Sequence, residues 1–381
     1  MIFSGRKERI DMKKIVIIGS GIVGISAAYH LAEKADVTVI DRKDAGRATD
    51  AAAGIVCPWI AQRRNKAWYA LAKGGARYYK EVVDALLQAG ETDTGYKRVG
   101  TLALHEDKKL NEMLERTKVR REDAPEIGEM TRLSVEAARS LFPPLSEDYE
   151  ALLVEGGARV DGERIRSALE RVAIKRGVNV VNGSAQLVKG DGYHVLCDGV
   201  RYEADEIILA CGAWLKELLE PIGYTTSVKP EKAQIVHVKL PDTDTSDWPV
   251  AMPPRRRYLL GFEDGKVVIG STHEKEKGFD VRPTAVGVHE VLAKGLESAP
   301  GLAEAELVET RVGLRPVTPN SIPVLGRVPG AEQLVVANGL GSSGLTVGPF
   351  IGKVLADLVL TGDCELDMSL YPIEETVFPI D

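Results

Sequence analysis

The residues best suited to chemistry form a glycine-rich turn near the N-terminus, Gly19-Ser20-Gly21-Ile22-Val23-Gly24. Gly19 permits a tight turn, Gly21 leaves the backbone open to a pyrophosphate, and Gly24 lets a following helix pack closely. The free N–H groups at the start of that helix would meet the phosphates. The spacing therefore predicts a dinucleotide site whose contacts are Gly19, Gly21, Ile22, Val23 and Gly24.

The residues on either side predict the elements that must position this turn. Ile15–Ile18 predicts a buried parallel strand, and helical spacing runs from Ile25 to Lys34. A second strand, Val37–Ile40, ends at Asp41, where a carboxylate can accept hydrogen bonds from a ribose. This pattern does not separate NAD from FAD, and a glycine turn that only packs tightly is the alternative.

Two further predicted strands also run into glycine turns. Glu206–Ala210 is followed by Cys211–Trp214, and Leu334–Ala337 by Gly339–Gly344, after which Thr346 to Leu360 has helical spacing. An NAD domain needs one such turn, so turns at opposite ends of the chain favour the longer cofactor FAD. An ordinary strand–turn–helix is the alternative for Cys211–Trp214. The last turn does not match GxSxG, which argues against a serine hydrolase.

Composition narrows the class of protein. A chain of 381 residues favours two domains, and its net charge of −7 argues against a nucleic-acid binder. No uninterrupted apolar run reaches the length of a membrane span, so no transmembrane segment is expected. The four cysteines lack zinc-like spacing, so we predict no metal site and thiols in a reducing cytoplasm. Residues 1–12 are predicted to be a disordered extension.

In chain order these motifs resemble the FAD-dependent D-amino-acid oxidase family, in its glycine oxidase, sarcosine oxidase and D-amino-acid dehydrogenase branch. The resemblance covers nearly the whole chain and rests on Gly19–Gly24, Asp41, Ala51–Ile55, Ala210–Trp214, Gly313–Pro316 and Gly339–Gly344. It implies an α/β fold, with a Rossmann-like FAD-binding domain (13–95, 151–222 and 306–372). A mixed β-sheet substrate domain of α+β type (96–150 and 223–305) is interleaved with it.

Local patterns agree with a substrate domain of this kind. Gln234–Leu240, Tyr258–Phe262 and Lys266–Gly270 predict strands, and the turn Glu263-Asp264-Gly265 suits a hairpin. The highly charged segment Asp107–Glu129 predicts a solvated helix and loop.

The resemblance also implies which residues hold the cofactor. Small side chains from Ala48 to Ile55 would let the backbone approach the flat flavin ring, an ordinary helix start being the alternative. Beyond the first turn, the implied cofactor residues are Asp41, Arg42, Ala48, Thr49, Ala52, Ala53, Gly54, Ile55, Ala210, Gly212, Trp214, Gly313, Gly339, Gly341, Ser342, Ser343, Gly344, Leu345 and Thr346.

Arg315 is implied to grip the substrate carboxylate, because a guanidinium fork matches a carboxylate with two parallel hydrogen bonds. Tyr258 is implied to donate a further hydrogen bond to that carboxylate, and His273 is implied to lie in the active site. The alternatives are an ordinary salt-bridge arginine, a strand tyrosine and a half-exposed histidine. No catalytic acid or base is predicted, since flavin N5 carries the chemistry.

The implied reaction oxidises the Cα–N bond of a small amino acid, namely a D-amino acid, glycine or an N-substituted glycine. Hydride passes to flavin N5, and water hydrolyses the imine to a 2-oxo acid and an amine. The electron acceptor is O₂ or a quinone. The alternatives are an FAD-dependent 2-hydroxy-acid oxidoreductase, an NAD-dependent Rossmann protein and a non-catalytic flavin-binding module. A cytoplasmic location is expected, and both peripheral contact with the inner membrane and a homo-oligomer are compatible with the sequence.

Three departures from the family pattern bear on these expectations. Ser342 or Ser343 stands where related glycine oxidases carry a second arginine, which argues against glycine specificity. Gly313 replaces the cysteine that links flavin in monomeric sarcosine oxidases, so FAD is expected to be noncovalent. Ile269 lies near the position of their oxygen-activating lysine, so the acceptor stays open.

Overall fold

Two large β-sheets, one mostly parallel and one mostly antiparallel, organise this α/β chain. The computed structural model describes residues 12–62, 65–255 and 257–380. The predicted extension, residues 1–12, therefore lies outside the described residues except for Met12.

The strands are, in chain order, β1 (Lys14–Ile18), β2 (Asp36–Asp41), β3 (Ile55–Val56), β4 (Lys97–Arg98), β5 (Thr101–His105), β6 (Met130–Leu133), β7 (Glu150–Val154), β8 (Ala158–Arg159), β9 (Asn179–Asn182), β10 (Ala185–Lys189), β11 (Tyr193–Cys197), β12 (Val200–Glu203), β13 (Glu206–Leu209), β14 (Tyr224–Thr226), β15 (Lys229–Lys239), β16 (Val250–Met252), β17 (Tyr258–Gly261), β18 (Lys266–Gly270), β19 (Glu306–Val317), β20 (Val324–Val328), β21 (Ala331–Asn338) and β22 (Val377–Pro379). The α-helices are α1 (Ile22–Leu31), α2 (Lys66–Gln88), α3 (Asp107–Arg121), α4 (Val135–Leu141), α5 (Gly162–Lys175), α6 (Leu215–Leu219), α7 (Ala285–Ser298) and α8 (Gly344–Thr361).

The six-stranded sheet has the order β20-β21-β13-β1-β2-β9, and every pair in it is parallel except β20 with β21. Its central strand β1 is buried on both faces, as its β-branched sequence predicts. Ile15 and Ile17 pack with α1, α2, α5 and α8, whereas Val16 and Ile18 pack with α6 and the small β10-β11-β12 sheet. The glycine turns therefore emerge from the middle of a covered sheet.

The eight-stranded sheet has the order β19-β15-β18-β17-β16-β5-β7-β6, and only β16 with β5 is a parallel pair. It confirms the predicted strands and the hairpin, where Phe262 N–H donates to the Lys266 carbonyl at 2.8 Å. β19 lies in this sheet, although residues from 306 onward were predicted in the cofactor domain. The C-terminal half of β19 brings Gly313 and Arg315 to the site.

Several element boundaries differ from those predicted. α1 begins at Ile22 rather than near Ile25, because the turn itself occupies only Gly19–Gly21. Residues 48–54 form turns and irregular backbone that lead into β3, so the alternative of a helix start there is wrong. The charged segment from Asp107 forms α3 and then a loop, as predicted, with Leu110 and Met113 buried on one side.

α8 with the turn before it, Gly341–Thr361, is apolar and long enough to cross a membrane by length and composition alone, with a mean hydropathy of 1.4. In the structure, 72% of an 18-residue stretch within this segment is buried inside the molecule. Its apolar side chains Val347, Ile351, Val354 and Leu355 join the core shared with α1 and α2. α8 thus has the packing of a core helix.

Candidate active site

A cavity of about 880 Å³ extends from Asp41 on the six-stranded sheet to Arg315 on the eight-stranded sheet. Its wall includes most of the predicted residues: Gly19, Gly21, Ile22, Val23, Asp41, Arg42, Ala48, Thr49, Ala52, Ala53, Gly54, Ile55, Ala210, Gly212, Trp214, Tyr258, Gly313, Arg315, Gly341, Ser342, Gly344, Leu345 and Thr346. The four predicted residues outside this wall are Gly24, Gly339, Ser343 and His273.

The first glycine turn has the conformation that its sequence requires. Gly19 has a φ of 104°, and any side chain there would overlap the Ala210 carbonyl. Gly24 faces the Gly19 carbonyl with no room for a Cβ atom, so it serves helix packing rather than the cavity wall. Gly21 is the N-cap of α1 and has no side chain to cap it. The Ile22 amide instead donates to Thr49 Oγ1 at 3.0 Å, and the N-terminus of α1 lies at the cavity wall.

Asp41 holds the glycine turn in place from the end of β2. Its Oδ2 accepts a hydrogen bond from Ser20 N–H at 2.6 Å, and its Oδ1 accepts from Lys43 N–H and from Arg47, both also at 2.6 Å. Burial alone would raise the pKa of Asp41, but these amide bonds and the Arg47 charge hold it below its ordinary value. The carboxylate is therefore ionised at neutral pH and already has three protein donors.

The start of α8, directly after the last glycine turn, contacts the segment 48–55. Thr346 Oγ1 donates to the Ile55 carbonyl at 2.8 Å, which ties α8 to that segment. α8 begins at Gly344 without a side-chain cap, so a second helix N-terminus meets the cavity. Ser343 is buried and its Oγ accepts from Trp68 Nε1 at 2.8 Å, which explains its absence from the wall.

Arg315 lies at the substrate end with most of its donors already engaged. Its Nη1 contacts Glu231 Oε1 at 3.2 Å, the Thr272 carbonyl at 3.4 Å and His273 Nδ1 at 3.0 Å. Its Nη2 donates to Ser271 Oγ at 2.8 Å. Nη1 is thus directed at protein acceptors, whereas Nη2 has a second N–H with which it can meet a ligand.

Tyr258 on β17 lies beside this arginine, and both residues line the cavity. Its ring occupies the space that a side chain at Gly270, its partner on β18, would fill. Burial raises the pKa of Tyr258, although Arg315 and Ser271 oppose the shift. The hydroxyl is therefore protonated at neutral pH and can donate a hydrogen bond.

Glu231 is the site residue that the sequence analysis missed. It lies on β15 directly opposite Arg315 on β19, and its side chain is only 11% exposed. Burial would raise the pKa of Glu231, but the hydrogen bond to His273 and the charge of Arg315 hold it below its ordinary value. Its sequence neighbours Pro230 and Lys232 do not form an apolar run, so the local pattern carried no sign that Glu231 is buried.

Comparison with known proteins agrees with this architecture. Residues 14–358 match the family model DAO, described as FAD dependent oxidoreductase. The chain is 53% identical over 365 residues to an uncharacterized oxidoreductase, YurR, of Bacillus subtilis, which covers 94% of this chain and 98% of that protein. It is 30% identical over 371 residues to a glycine oxidase of Pseudomonas aeruginosa, with 94% and 98% covered. The crystal structure of iminodiacetate oxidase from Chelativorans sp. BNC1 superposes with a TM-score of 0.91 at 46% identity, again over 94% and 98%. The chain therefore belongs to the DAO family of FAD-dependent oxidoreductases.

Proposed function

We propose that this protein is an FAD-dependent oxidoreductase that oxidises the Cα–N bond of a small amino acid. The observation that carries the proposal is that the first glycine turn and Arg315 open into one continuous cavity. A nucleotide held at the turn and a carboxylate held at the arginine would thus share one enclosed space.

The cavity fits the cofactor of the family. Two helix N-termini reach its wall, at Gly21 and at Gly344, which suits the pyrophosphate and an electron-rich ring. Gly313 also lines it, and a Cβ atom there would project to within 3.0 Å of the Ala51 side chain. With glycine rather than cysteine at this position, FAD is held without a covalent bond.

The residues divide by the part of FAD that each would hold. Gly19–Val23 would hold the pyrophosphate, with Asp41 and Arg42 at the adenosine end. Ala48–Ile55 and Gly341–Thr346 would hold the ring. When bound, FAD supplies the hydride acceptor.

The chain itself binds and orients the substrate. Arg315 Nη2 and the Tyr258 hydroxyl hold the substrate carboxylate, and Ser271 fixes the guanidinium. The substrate amine reacts in its neutral form, so the reaction needs no dedicated general base. Water then hydrolyses the imine to a 2-oxo acid and an amine, and O₂ or a quinone takes the electrons.

Among the small amino acids, iminodiacetate is the first substrate to test. It is an N-substituted glycine, and the solved iminodiacetate oxidase is 46% identical to this chain, against 30% for the glycine oxidase. Ser342 or Ser343 stands where glycine oxidases carry a second arginine, which also favours iminodiacetate over glycine as the substrate.

The test is an anaerobic screen that follows bleaching of the bound flavin. The panel is iminodiacetate, sarcosine, glycine, proline, D-alanine and, as the hydroxy-acid alternative, lactate. We expect at least one amine to reduce the flavin, and release of peroxide on admission of air would identify O₂ as the acceptor. A colourless protein, a flavin that no compound reduces, or reduction by lactate alone would each contradict the proposal.

A further inference from the structure

The segment that links β18 to α7, residues 271–284, reaches from the eight-stranded sheet to the six-stranded sheet. The ring of Phe279 lies beside that of Trp214, with 5.7 Å between the ring centroids. Val281 packs on Gly46, since a Cβ atom built on that glycine would lie 2.5 Å from Val281 Cγ1. Two residues that are only two positions apart therefore contact two separate segments of the cofactor side.

The two contact points stand on either side of the first glycine turn. In the six-stranded sheet β1 lies between β2, which precedes Gly46, and β13, which precedes Trp214, and all three strands are parallel. Parallel strands have their carboxyl ends at one edge, and two strand spacings make about 10 Å. Residues 279–281 span at most about 7 Å between their outer Cα atoms, and the side chains at both ends supply the rest. Because Trp214 lines the cavity, this stretch bridges the sheet edge at the turn where the pyrophosphate would lie.

Asp280, between the two contact residues, ties this stretch to β15. The Lys232 ammonium is fully buried, lies 3.1 Å from Asp280 Oδ2 and donates to the Arg282 carbonyl at 2.7 Å. Because a buried cation without partners is costly, these contacts hold the stretch on β15. Phe279, in contrast, is 46% exposed. The stretch thus has a fixed centre, and its ring contact with Trp214 can open at lower cost.

We propose that residues 279–281 form a clasp across the cofactor cavity that slows both the entry and the release of FAD. Phe279 is a positioning residue in this clasp, because it contacts Trp214 rather than the cofactor. The contacts of the clasp join protein groups to one another, so opening it costs free energy whether FAD is entering or leaving. The inference goes beyond the proposed reaction and rests on the proposed function only in placing FAD in this cavity.

The experiment measures both rates of FAD exchange. FAD-loaded protein is diluted and desalted at intervals, and the flavin that remains bound, read from its absorbance, gives the release rate. Mixing the released protein with FAD gives the binding rate. Phe279→Ala should release FAD about fivefold faster, the effect expected for loss of one aromatic pair. The binding rate should rise by a similar factor, so Kd should stay nearly constant.

This paired change in rates separates the clasp from other roles of Phe279. If Phe279 touched FAD itself, its loss would speed release and raise Kd without speeding binding. A merely structural role would lower stability toward urea and leave both rates unchanged. Phe279→Tyr keeps the ring and should restore slow exchange.

A second variant tests the other anchor of the clasp. Asp280→Asn weakens the pair with Lys232 and should also speed both rates, whereas the exposed Asp191→Asn should not. Phe378 is 41% exposed on β22 and does not line the cavity, so Phe378→Ala is the matched control for Phe279→Ala and should keep the wild-type rates.

Urea unfolding shows whether each variant folds, and Asp280→Asn decides the matter if Phe279→Ala does not fold. Wild-type rates in the folded variants overturn the inference, as does faster release with an unchanged binding rate. Either result in a protein that binds FAD leaves the proposed function intact. A wild type that binds no FAD contradicts the proposed function and the clasp together.

Discussion

Glu231 Oε1 lies 3.2 Å from Arg315 Nη1, and the two residues are directly paired across β15 and β19. The substrate end of the cavity is therefore a compensated ion pair rather than an isolated arginine. Such a pair keeps the guanidinium oriented before any ligand arrives, which reduces the entropy lost on binding. It also means that the charge available to a carboxylate depends on its neighbours.

Replacing Arg315 with alanine should lower kcat/KM toward the amine substrate on the order of a hundredfold or more, because orientation and a charge-assisted bond are both lost. Flavin content should not change. Arg315→Lys should retain part of the activity, since it keeps the charge but not the planar fork. The exposed Arg201→Ala serves as control. Unchanged kcat/KM in Arg315→Ala with flavin bound would refute the role of this residue.

Gly21→Ala should weaken FAD binding while the protein still folds. The backbone of Gly21 has a φ of −65°, which alanine adopts, and the nearest atom to an added Cβ is Thr49 Oγ1 at 3.4 Å. The methyl group would instead occupy cavity space that a pyrophosphate needs. We expect about tenfold weaker binding or worse in a titration of apoprotein with FAD. Gly190→Ala, whose added Cβ would meet its nearest neighbour only at 4.0 Å, should bind FAD normally.

The two serines of the last glycine turn should respond differently. Ser343→Ala removes the acceptor for Trp68 Nε1, so we expect a loss of about 1 kcal/mol in the free energy of unfolding and little change in FAD affinity. Ser342→Val places a larger side chain on the cavity wall and should weaken FAD binding. Urea unfolding and flavin titration of both variants distinguish the two roles. Equal losses of FAD affinity would contradict the assignment.

Acid should remove one identifiable contribution to stability. Burial would raise the pKa of Glu263, but hydrogen bonds from Arg159 and Arg164 outweigh it and lower the pKa from 4.5 to about 2. A carboxyl with a lower pKa in the folded state stabilises the protein fully above pH 4.5, and this contribution is lost as the pH falls toward about 2.

Glu263→Gln should therefore lower the unfolding free energy at neutral pH, and its difference from the wild type should shrink between about pH 4.5 and about pH 2. Arg159 is fully buried, which makes loss of its partner costly. Urea unfolding at several pH values measures the difference, with the exposed Glu304→Gln as control. A difference that does not depend on pH would argue against this ion pair.

Local sequence patterns were sufficient to predict the secondary structure around the first glycine turn and most residues of the cavity wall. The strand, turn and helix from Ile15 onward follow from β-branched residues and glycine spacing, and the wall of the cavity contains most of the residues expected from them. The start of α1 was placed too late because Ile22 and Val23 were assigned to the turn. The residues of a tight turn and of a first helical turn look alike in sequence.

Long-range pairing was the part that local patterns could not supply. Glu231 and Arg315 are 84 residues apart in sequence and meet because β15 and β19 align in one register. Trp68 reaches Ser343 across 275 residues, and nothing near either residue indicates the other. Register is set by how whole sheets pack, so single motifs do not determine it.

The ring of Tyr258 occupies the volume that a side chain at Gly270 would need, and neither position can be understood alone. A larger residue at Gly270 is therefore tolerated only where a smaller side chain replaces the Tyr258 ring. Among related sequences, glycine at the second position should accompany an aromatic residue at the first, and bulk should reappear there only when the ring is lost. Any redesign that adds a side chain at position 270 must therefore also change Tyr258.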